Sequence, residues 1–407
     1  MEFDNALVQR IGADLSLEQK YALHLVSKGE HVLITGAGGV GKSTMIPKLK
    51  QLLAAKMRTY NLTASTGIAA LNIGGTTLHH FAGAGLAKGT KEAVLKDVMR
   101  NRKKLWSWRR CQVLIVDEIS MIAPLFFDKL EYVARKVRGR ETFFGGIQLV
   151  LLGDFFQLPP VLDNTEANAQ KFCFQSKLFK ENVTNVIELT KVFRQTDYEF
   201  VKVLADIRRG NLTDAGFKML SERVNAEIDT SDGIEPTRLY PLRAQVDNIN
   251  RMRLVELEGE PHVYTATQFT LGIKQTKRRE EILQRLATKC PAEKELTLKK
   301  GAQVMLLVNL KTEEGLVNGS RGVVDGFADC KEQWPIVKFA NGLYETLEPY
   351  SWIEKPQDEN WSATYSQVPL KLAYALSIHK SKHPLLLIVS RPGYHPRSSR
   401  GQSWRRL

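Results

Sequence analysis

The chain has 407 residues, which is too many for one small hydrophobic core, so two or three domains are expected. A hydrophobic content of 43% with 25% charged residues is typical of a soluble globular protein, and no apolar run reaches the length of a membrane span. The formal net charge of +14 indicates a polyanionic partner, with a solvated basic surface as the alternative. The first ten residues resemble neither a signal peptide nor an Arg-rich transit peptide.

The first strong motif lies in residues 31–44, HVLITGAGGVGKST. A short apolar run in residues 32–34 predicts a buried strand, and helical spacing follows the motif. Between them the pattern G-x-x-x-x-G-K-S lets backbone N–H groups curl around a phosphate, because glycine carries no Cβ. We therefore predict an ATP site in which Lys42 reaches the β and γ phosphates and Ser43 ligates Mg²⁺. The other loop residues predicted to bind the nucleotide are Gly36, Gly38, Gly39, Gly41 and Thr44.

Residues 63–83, TASTGIAALNIGGTTLHHFAG, combine small and hydroxyl-bearing side chains with three rings. Small residues let a DNA strand approach the backbone, hydroxyls bind phosphates, and rings stack on bases. A buried loop with a core phenylalanine is the alternative. The predicted DNA contacts here are Thr66, Gly67, His79, His80 and Phe81.

Residues 100–110, RNRKKLWSWRR, interleave basic side chains with Trp106 and Trp108. A nucleic-acid patch is one interpretation. Because the segment directly precedes a predicted strand, we favour a solvated helix anchored by tryptophan.

Two apolar runs further along predict parallel strands that are buried on both faces. The first, residues 113–116, ends in Asp117 and Glu118, at the strand end where open α/β sheets bind ligands. Asp117 is predicted to hold Mg²⁺ through water, and Glu118 to act as general base on the attacking water. The second run, from residue 147, leads to Gln157, which is predicted to report whether the γ-phosphate is present. A plain strand-to-loop exit is the alternative for Gln157.

The second half of the chain changes in character along its length. Residues 197–210 predict a helix that ends at a glycine, and residues 237–257 predict a strand, a loop and a helix. From about residue 261, short strand-like runs alternate with turn signals, and Asn341-Gly342 predicts a hairpin.

Taken together, these segments resemble a known family. GAGGVGKST, TASTGIAALNIGGTTLHHFAG, LIVDEISM, LVLLGDFFQLPPV, ELTKVFRQTD and LAYALSIHKS occur in the order of a superfamily-one DNA helicase. They are similar to the Pif-type (petite integration frequency) helicases, as is DKLEYVARKVRGRETFFGGIQ. The resemblance covers residues 15 to about 381.

The resemblance implies an α/β fold of two RecA-like P-loop domains, with ATP in the cleft between them. It implies adenine recognition by Gln19, an arginine finger at Arg194 on the second domain, and further DNA contacts at His379 and Lys380. The predicted domain limits are 1–185 for the first RecA-like domain, 186–260 and 366–381 for the two parts of the second, 261–365 for a β-rich, SH3-like insert, and 382–407 for a poorly ordered tail.

The function that the resemblance implies is ATP-dependent, 5′→3′ movement on single-stranded DNA. DNA junctions or forks are further expected partners, with no membrane contact and a monomeric state in solution. The expected setting is genome maintenance (DNA repair, recombination or telomere maintenance) in the nucleus, the mitochondrion or both.

The residues after Ser381 depart from the family pattern. Lys382-His383-Pro384 stand where Gln-Gly is expected, and the later arginine that closes on the γ-phosphate is missing unless Arg405 or Arg406 replaces it. The alternative function is therefore a DNA-binding paralogue, or a truncated form, that binds ATP but hydrolyses it poorly.

Overall fold

The computed structural model describes residues 6–85, 87, 89–160, 171–195, 197–224, 226, 230, 233–355 and 360–378. The chain divides into two compact units, residues 1–216 and 217–407. His379, Lys380 and the predicted tail, 382–407, lie outside the described residues, so the predictions made for them stay predictions.

The helices are named in chain order. They are α1 (Ala6–Ile11), α2 (Leu17–Lys28), α3 (Met45–Ala55), α4 (Gly67–Asn72), α5 (Leu78–Ala82), α6 (Lys91–Arg100), α7 (Arg102–Arg110), α8 (Pro124–Arg138), α9 (Lys177–Asn182), α10 (Tyr198–Arg209), α11 (Asp214–Ser221), α12 (Arg243–Glu256) and α13 (Thr276–Lys289).

The strands are named in the same way. They are β1 (Val32–Gly36), β2 (Tyr60–Ala64), β3 (Thr76–Thr77), β4 (Val113–Asp117), β5 (Gln148–Leu152), β6 (Asn185–Leu189), β7 (Arg238–Tyr240), β8 (His262–Thr265), β9 (Thr267–Leu271), β10 (Glu295–Leu298), β11 (Gln303–Leu306), β12 (Arg321–Phe327), β13 (Pro335–Phe339), β14 (Tyr344–Thr346), β15 (Tyr350–Glu354), β16 (Ser362–Gln367), β17 (Leu370–Leu372) and β18 (Ala375–Ser377).

The first unit is built around a six-stranded sheet of order β3-β2-β4-β5-β1-β6, in which every pair is parallel. Because β4, β5 and β1 are neighbours, the segments that leave their carboxyl ends lie side by side. These segments carry Asp117, Gln157 and the phosphate loop. The sheet order therefore brings together three motifs that are far apart in the sequence.

Both faces of this sheet are covered, as the continuous apolar runs predicted. All residues of β4 and β5 are buried. Alternate residues enter two different cores, because successive side chains of a strand point to opposite faces. Leu114, Val116 and Leu149 pack with α6–α8, whereas Val113, Ile115 and Val150 pack with α2 and α3.

The second unit is mixed, and its antiparallel part confirms the predicted β-rich region. A five-stranded sheet of order β14-β13-β12-β11-β17 and a three-stranded sheet β15-β16-β9 are antiparallel. Asn341 and Gly342 lie in the turn between β13 and β14, as predicted. β7 and β18 form a separate parallel pair. The second unit thus contains a short parallel strand pair and a larger antiparallel region.

The boundary between the units differs from the predicted end of the first domain at residue 185. β6 begins at Asn185 and pairs with β1, so the strand completes the first sheet. The first unit continues to Gly216 and includes α10. No helix within the described residues is long and apolar enough to cross a membrane.

Candidate active site

The phosphate loop joins β1 to α3, and two of its glycines are in the left-handed region. Gly39 has φ 83° and Gly41 has φ 84°. A Cβ on Gly39 would lie 2.7 Å from Cβ of Arg194, and one on Gly41 would lie 2.8 Å from Nε2 of Gln19. Both positions therefore require glycine for backbone conformation and for close approach. The same contacts place Gln19 and Arg194 against the loop.

Lys42 is held inside this loop by its own backbone. Its Nζ donates to the carbonyl oxygens of Gly36 and Ala37, each at 2.8 Å. Burial lowers the pKa of Lys42, and the nearby carboxylates of Asp154, Glu118 and Asp117 oppose that shift. The ammonium group is thus within electrostatic range of three acidic side chains, which come from the ends of β4 and β5.

Asp117 and Glu118 leave β4 in a tight turn. Asp117 is 6% exposed, and its Oδ1 accepts a hydrogen bond from the Glu118 backbone N–H at 2.9 Å. Glu118 adopts φ 55° and ψ 43°, a left-handed conformation that costs a non-glycine residue about 1–3 kcal/mol. Such strain persists where the surrounding structure imposes it.

Gln157 is positioned by Asp154, which follows the end of β5. Asp154 is 1% exposed, and its Oδ2 accepts a hydrogen bond from Gln157 Nε2 at 2.9 Å. A Cβ on Gly38 would lie 4.0 Å from the same Nε2. The amide of Gln157 is therefore next to the phosphate loop, where the sequence placed it.

Arg208, in the last turn of α10, holds the other side of Asp154. Its Nη2 lies 3.0 Å from Oδ1 and its Nε 3.3 Å from Oδ2. The guanidinium also stacks over the ring of Phe156 at 4.4 Å. A buried arginine–carboxylate fork thus supports the residue that holds Gln157.

Two of the residues that were assigned by resemblance, Gln19 and Arg194, lie beside the loop. Gln19 is 2% exposed and donates from Nε2 to the Gly41 carbonyl at 3.3 Å. Arg194 is exposed, and the preceding Phe193 N–H donates to the Gly39 carbonyl at 2.9 Å. Arg194 was expected on the second domain, whereas it lies in the first compact unit, because this hydrogen bond ties its segment to the loop.

The residues predicted for Mg²⁺ suit a hard cation. Ser43 offers a hydroxyl at the exposed start of the loop–helix junction, and Asp117 offers a carboxylate. Magnesium prefers oxygen ligands and keeps several bound waters, so one hydroxyl and one carboxylate are enough ligands from the protein. Among the described residues there is no cluster of three or more His, Cys, Asp or Glu side chains that could hold a metal ion by themselves.

Comparison with known proteins gives concordant matches. The family described as PIF1-like helicase matches residues 14–216, and the family described as DNA helicase Pif1, 2B domain, matches residues 281–327. A crystal structure of Pif1 helicase from Candida albicans is 37% identical, with TM-score 0.68 over 90% of this chain and 86% of that chain. The chain belongs to the PIF1-like helicase family. The predicted family and the α/β fold are thereby confirmed.

Two further relatives of this PIF1-like helicase chain carry information on ligands and length. A crystal structure of Pif1 helicase from Bacteroides in complex with ADP-AlF3 and ssDNA is 31% identical, with TM-score 0.57 over 90% of this chain and 83% of that chain. The Xenopus laevis protein named ATP-dependent DNA helicase PIF1 is 43% identical over 90% of this chain and 55% of its own length. The chain spans about half the length of the curated relatives that it matches.

The predicted DNA contacts of this PIF1-like helicase chain fall into two groups. Thr66 and Gly67 lie at the start of α4, and nothing lies within 4 Å of the place where a Gly67 Cβ would be. His79 and His80 are half-buried, and the His79 ring stacks on Phe126 with centroids 4.1 Å apart. These four residues stay predictions.

Phe81 requires a correction. Its ring is 4% exposed and packs against Trp108, with centroids 4.8 Å apart. A base cannot stack on a ring whose faces are covered by core side chains, so Phe81 serves the core, as the alternative interpretation had it. Trp108 is fully buried and anchors α7, as the favoured interpretation expected, whereas Trp106 on the same helix is 44% exposed.

Sequence reasoning missed the pairing of Asp154 with Arg208. Asp154 lay in the segment between the second apolar run and Gln157, and Arg208 lay in the helix predicted for residues 197–210. The one available signal was an arginine pair before the helix-ending Gly210, which is common at helix C-termini.

Proposed function

We propose that this protein is an ATP-dependent DNA helicase that moves 5′→3′ on single-stranded DNA. The observation that carries the proposal is the convergence, at one edge of one sheet, of Lys42, the acidic pair Asp117 and Glu118, and the Asp154–Gln157 pair. Phosphoryl transfer needs positioning and charge stabilisation more than covalent chemistry, and this set supplies both. The family membership supports the same activity.

In the proposed mechanism, Lys42 exchanges two neutral carbonyl acceptors for the β and γ phosphate oxygens. The exchange is favourable because charge-assisted hydrogen bonds are roughly twice as strong as neutral ones. Ser43 and Asp117 would hold Mg²⁺, which supplies neutralisation of phosphate charge when it is bound. Glu118 accepts a proton from the attacking water as general base.

Two residues respond to the γ-phosphate in this proposal. Gln157, anchored on Asp154 at 2.9 Å, donates its remaining amide hydrogen toward the phosphate edge. Arg194 supplies positive charge to the phosphoryl oxygens in the transition state, an effect worth about 10³–10⁵ in rate where arginine fingers have been measured. Gln19 recognises the adenine.

The nucleic-acid partner in the proposal is single-stranded DNA, supported by the net charge of +14 and by the ssDNA complex of the Bacteroides relative. Forked or junction DNA, a monomeric state, and duties in nuclear or mitochondrial genome maintenance complete the proposal, and they rest on the family likeness. The competing function, a paralogue with impaired hydrolysis, concerns residues after Ser381, which are outside the described residues.

The test is DNA-stimulated ATPase activity, together with strand displacement on duplexes that carry either a 5′ or a 3′ overhang. We expect single-stranded DNA to stimulate hydrolysis and only the 5′ overhang to support displacement. Displacement from 3′ overhangs alone would contradict the direction. Binding of ATP and DNA without stimulated hydrolysis would favour the paralogue.

A further inference from the structure

A second basic site lies away from the residues described so far. Five arginines line a concave site of about 550 Å³ together with Thr59, Gln112 and Gly146. We name it the arginine pocket, defined by Arg58, Arg109, Arg110, Arg138 and Arg140. Within the described part of the chain, its lining includes no Asp or Glu.

The arginine pocket lies at the opposite edge of the first sheet from the candidate active site. Thr59 precedes β2, Gln112 precedes β4 and Gly146 is two residues before β5, so the pocket is at the amino ends of these strands. The phosphate loop and Asp117 are at carboxyl ends. One five-residue strand separates the two edges by roughly 13 Å or more, at about 3.3 Å per residue. The pocket is therefore not part of the nucleotide site.

Part of the positive charge has a structural use. Arg138 donates from Nη1 to the carbonyls of Trp108, Arg109 and Cys111 at 2.8–3.0 Å, and Arg109 donates from Nε to the Val137 carbonyl at 3.4 Å. These bonds cap the C-termini of α7 and α8, which is a common role of arginine. Arg58 donates to the side chain of Gln148. Capping therefore accounts for Arg138 and for one nitrogen of Arg109.

Capping does not account for the rest of the charge. Arg110 stacks on Trp106 at 4.4 Å, and among the described residues none accepts a hydrogen bond from the side chains of Arg110 or Arg140. The nearest acid in sequence, Glu141, is paired with Arg135 and Lys136. Two helix C-termini contribute only about −0.5 charge each, against five guanidinium groups. The pocket keeps a net charge of about +4.

Burial of some of these arginines makes their positive charge less well solvated, which favours the binding of an anion. Arg58 and Arg138 are half-buried, and desolvation lowers the pKa of both. For Arg138, the neighbouring Arg140 lowers the pKa further. Cations that repel one another at a concave surface favour a bound counter-anion with several negative charges.

We propose that the arginine pocket is a binding site for phosphate groups, separate from the nucleotide site. Guanidinium groups match phosphate oxygens through pairs of parallel N–H donors, which a carboxylate-free pocket leaves available. Two sources of phosphate fit this chemistry, a free oligophosphate anion or the phosphodiester backbone of a DNA strand. The inference does not rest on the proposed helicase function.

The test uses the full chain with Lys42→Ala, so that the phosphate loop contributes little binding. Inorganic tripolyphosphate is titrated into this protein, into the same protein with Arg110→Ala and Arg140→Ala, and into the same protein with Arg100→Ala and Arg102→Ala. The last pair removes the same charge from exposed positions outside the pocket. Arg58 and Arg138 are left intact because they support the fold, and circular dichroism checks each variant.

We expect tripolyphosphate to bind the Lys42→Ala protein, and the pocket variant to bind about tenfold more weakly or worse. Equal affinities in the pocket and control variants would overturn the proposal. So would loss of all binding in Lys42→Ala alone. A short single-stranded oligonucleotide without terminal phosphates then distinguishes the source.

If the pocket takes phosphodiesters, the pocket variant weakens oligonucleotide binding and lowers its salt slope by about one to two, since two phosphate contacts are lost. If it takes free oligophosphate, the oligonucleotide binds the pocket and control variants alike while tripolyphosphate still discriminates between them. Either result supports a phosphate site.

Discussion

The guanidinium of Arg208 forms a bidentate ion pair with the carboxylate of Asp154, with Nη2–Oδ1 at 3.0 Å and Nε–Oδ2 at 3.3 Å. The Asp154 side chain is 1% exposed and that of Arg208 is 14% exposed, so the pair is shielded from water. Asp154 also receives the amide of Gln157. The last turn of α10 is thereby coupled to the residue that faces the phosphate loop.

We predict that Arg208→Met lowers both ATP turnover and stability. Removing the arginine takes the main cationic partner from a buried carboxylate, which costs up to about 3–5 kcal/mol of unfolding free energy. Loss of an outer partner of a positioned residue lowers activity by about 10–100-fold. Urea unfolding and DNA-stimulated kcat measure the two effects. Arg209→Met, at the exposed neighbouring position, is the matched control. Unchanged kcat in a folded Arg208→Met protein would show that Gln157 does not depend on this pair.

Lys42→Ala is expected to reduce ATP hydrolysis by about 10²-fold or more, since a cation that faces the transferring phosphoryl group is lost. Binding of single-stranded DNA should persist, because the predicted DNA residues are elsewhere. Steady-state ATPase and fluorescence anisotropy with labelled DNA measure the two. Lys50→Ala, exposed on α3, controls for loss of charge. Near-normal turnover in Lys42→Ala would refute the phosphate-loop assignment.

Glu118→Gln separates catalysis from nucleotide binding. The amide cannot act as general base, so we expect kcat to fall by about 10²–10⁴-fold while ATP still binds. Asp117, the predicted Mg²⁺ ligand, is kept, and glutamine has the same size in the strained turn. A fluorescent ATP analogue reports binding, and single-turnover kinetics report the chemical step. If this variant no longer binds nucleotide, the division of roles between the two carboxylates is wrong.

The stability of the first unit should fall as pH drops below about 6.5, the ordinary pKa of histidine. Burial lowers the pKa of His31, and its Nδ1 accepts a hydrogen bond from the Leu149 N–H at 3.0 Å, which requires the unprotonated ring. A group whose pKa is lowered by folding stabilises the fold above its unfolded pKa. That stabilisation is lost as pH falls through the folded pKa.

The measurement is urea unfolding at about pH 7.5 and about pH 5.5, on either side of the ordinary histidine pKa. His31→Gln keeps an acceptor that does not titrate in this range, so its difference between the two pH values should be smaller than that of the wild type. An identical pH dependence in both proteins would mean that His31 contributes nothing to acid sensitivity.

The phosphate loop and the strands around it were predictable because their signals are local. Short apolar runs predict strands that are buried on both faces, and the glycine–lysine pattern specifies a backbone loop with little help from distant residues. The same holds for the helix of residues 198–209, which ends at a glycine in the left-handed region, and for the Asn341-Gly342 turn. Motif order then sufficed to indicate the family.

The role of Phe81 was not predictable in the same way. The residues around Phe81, two histidines in a polar segment, are equally compatible with a ring that stacks on a base and with a ring that lies in the core. The Phe81 ring is buried because α7 packs against α5 and places the Trp108 ring against it. A segment's own sequence does not state which of its side chains another helix will cover.

The phosphate loop, the acidic strand ends and the alternation of strands and helices can be predicted from short stretches of sequence, because each depends on residues within a few positions of one another. Which distant side chains meet depends on the folded chain as a whole. Arg208 reaches Asp154 across 54 residues of chain because the fold brings the last turn of α10 to the segment that follows β5. The guanidinium groups of the arginine pocket come from the segment before β2, from the C-terminus of α7, and from the C-terminus of α8 with the segment after it. Such meetings follow from the path of the backbone and the packing of whole elements, and no local spacing encodes them.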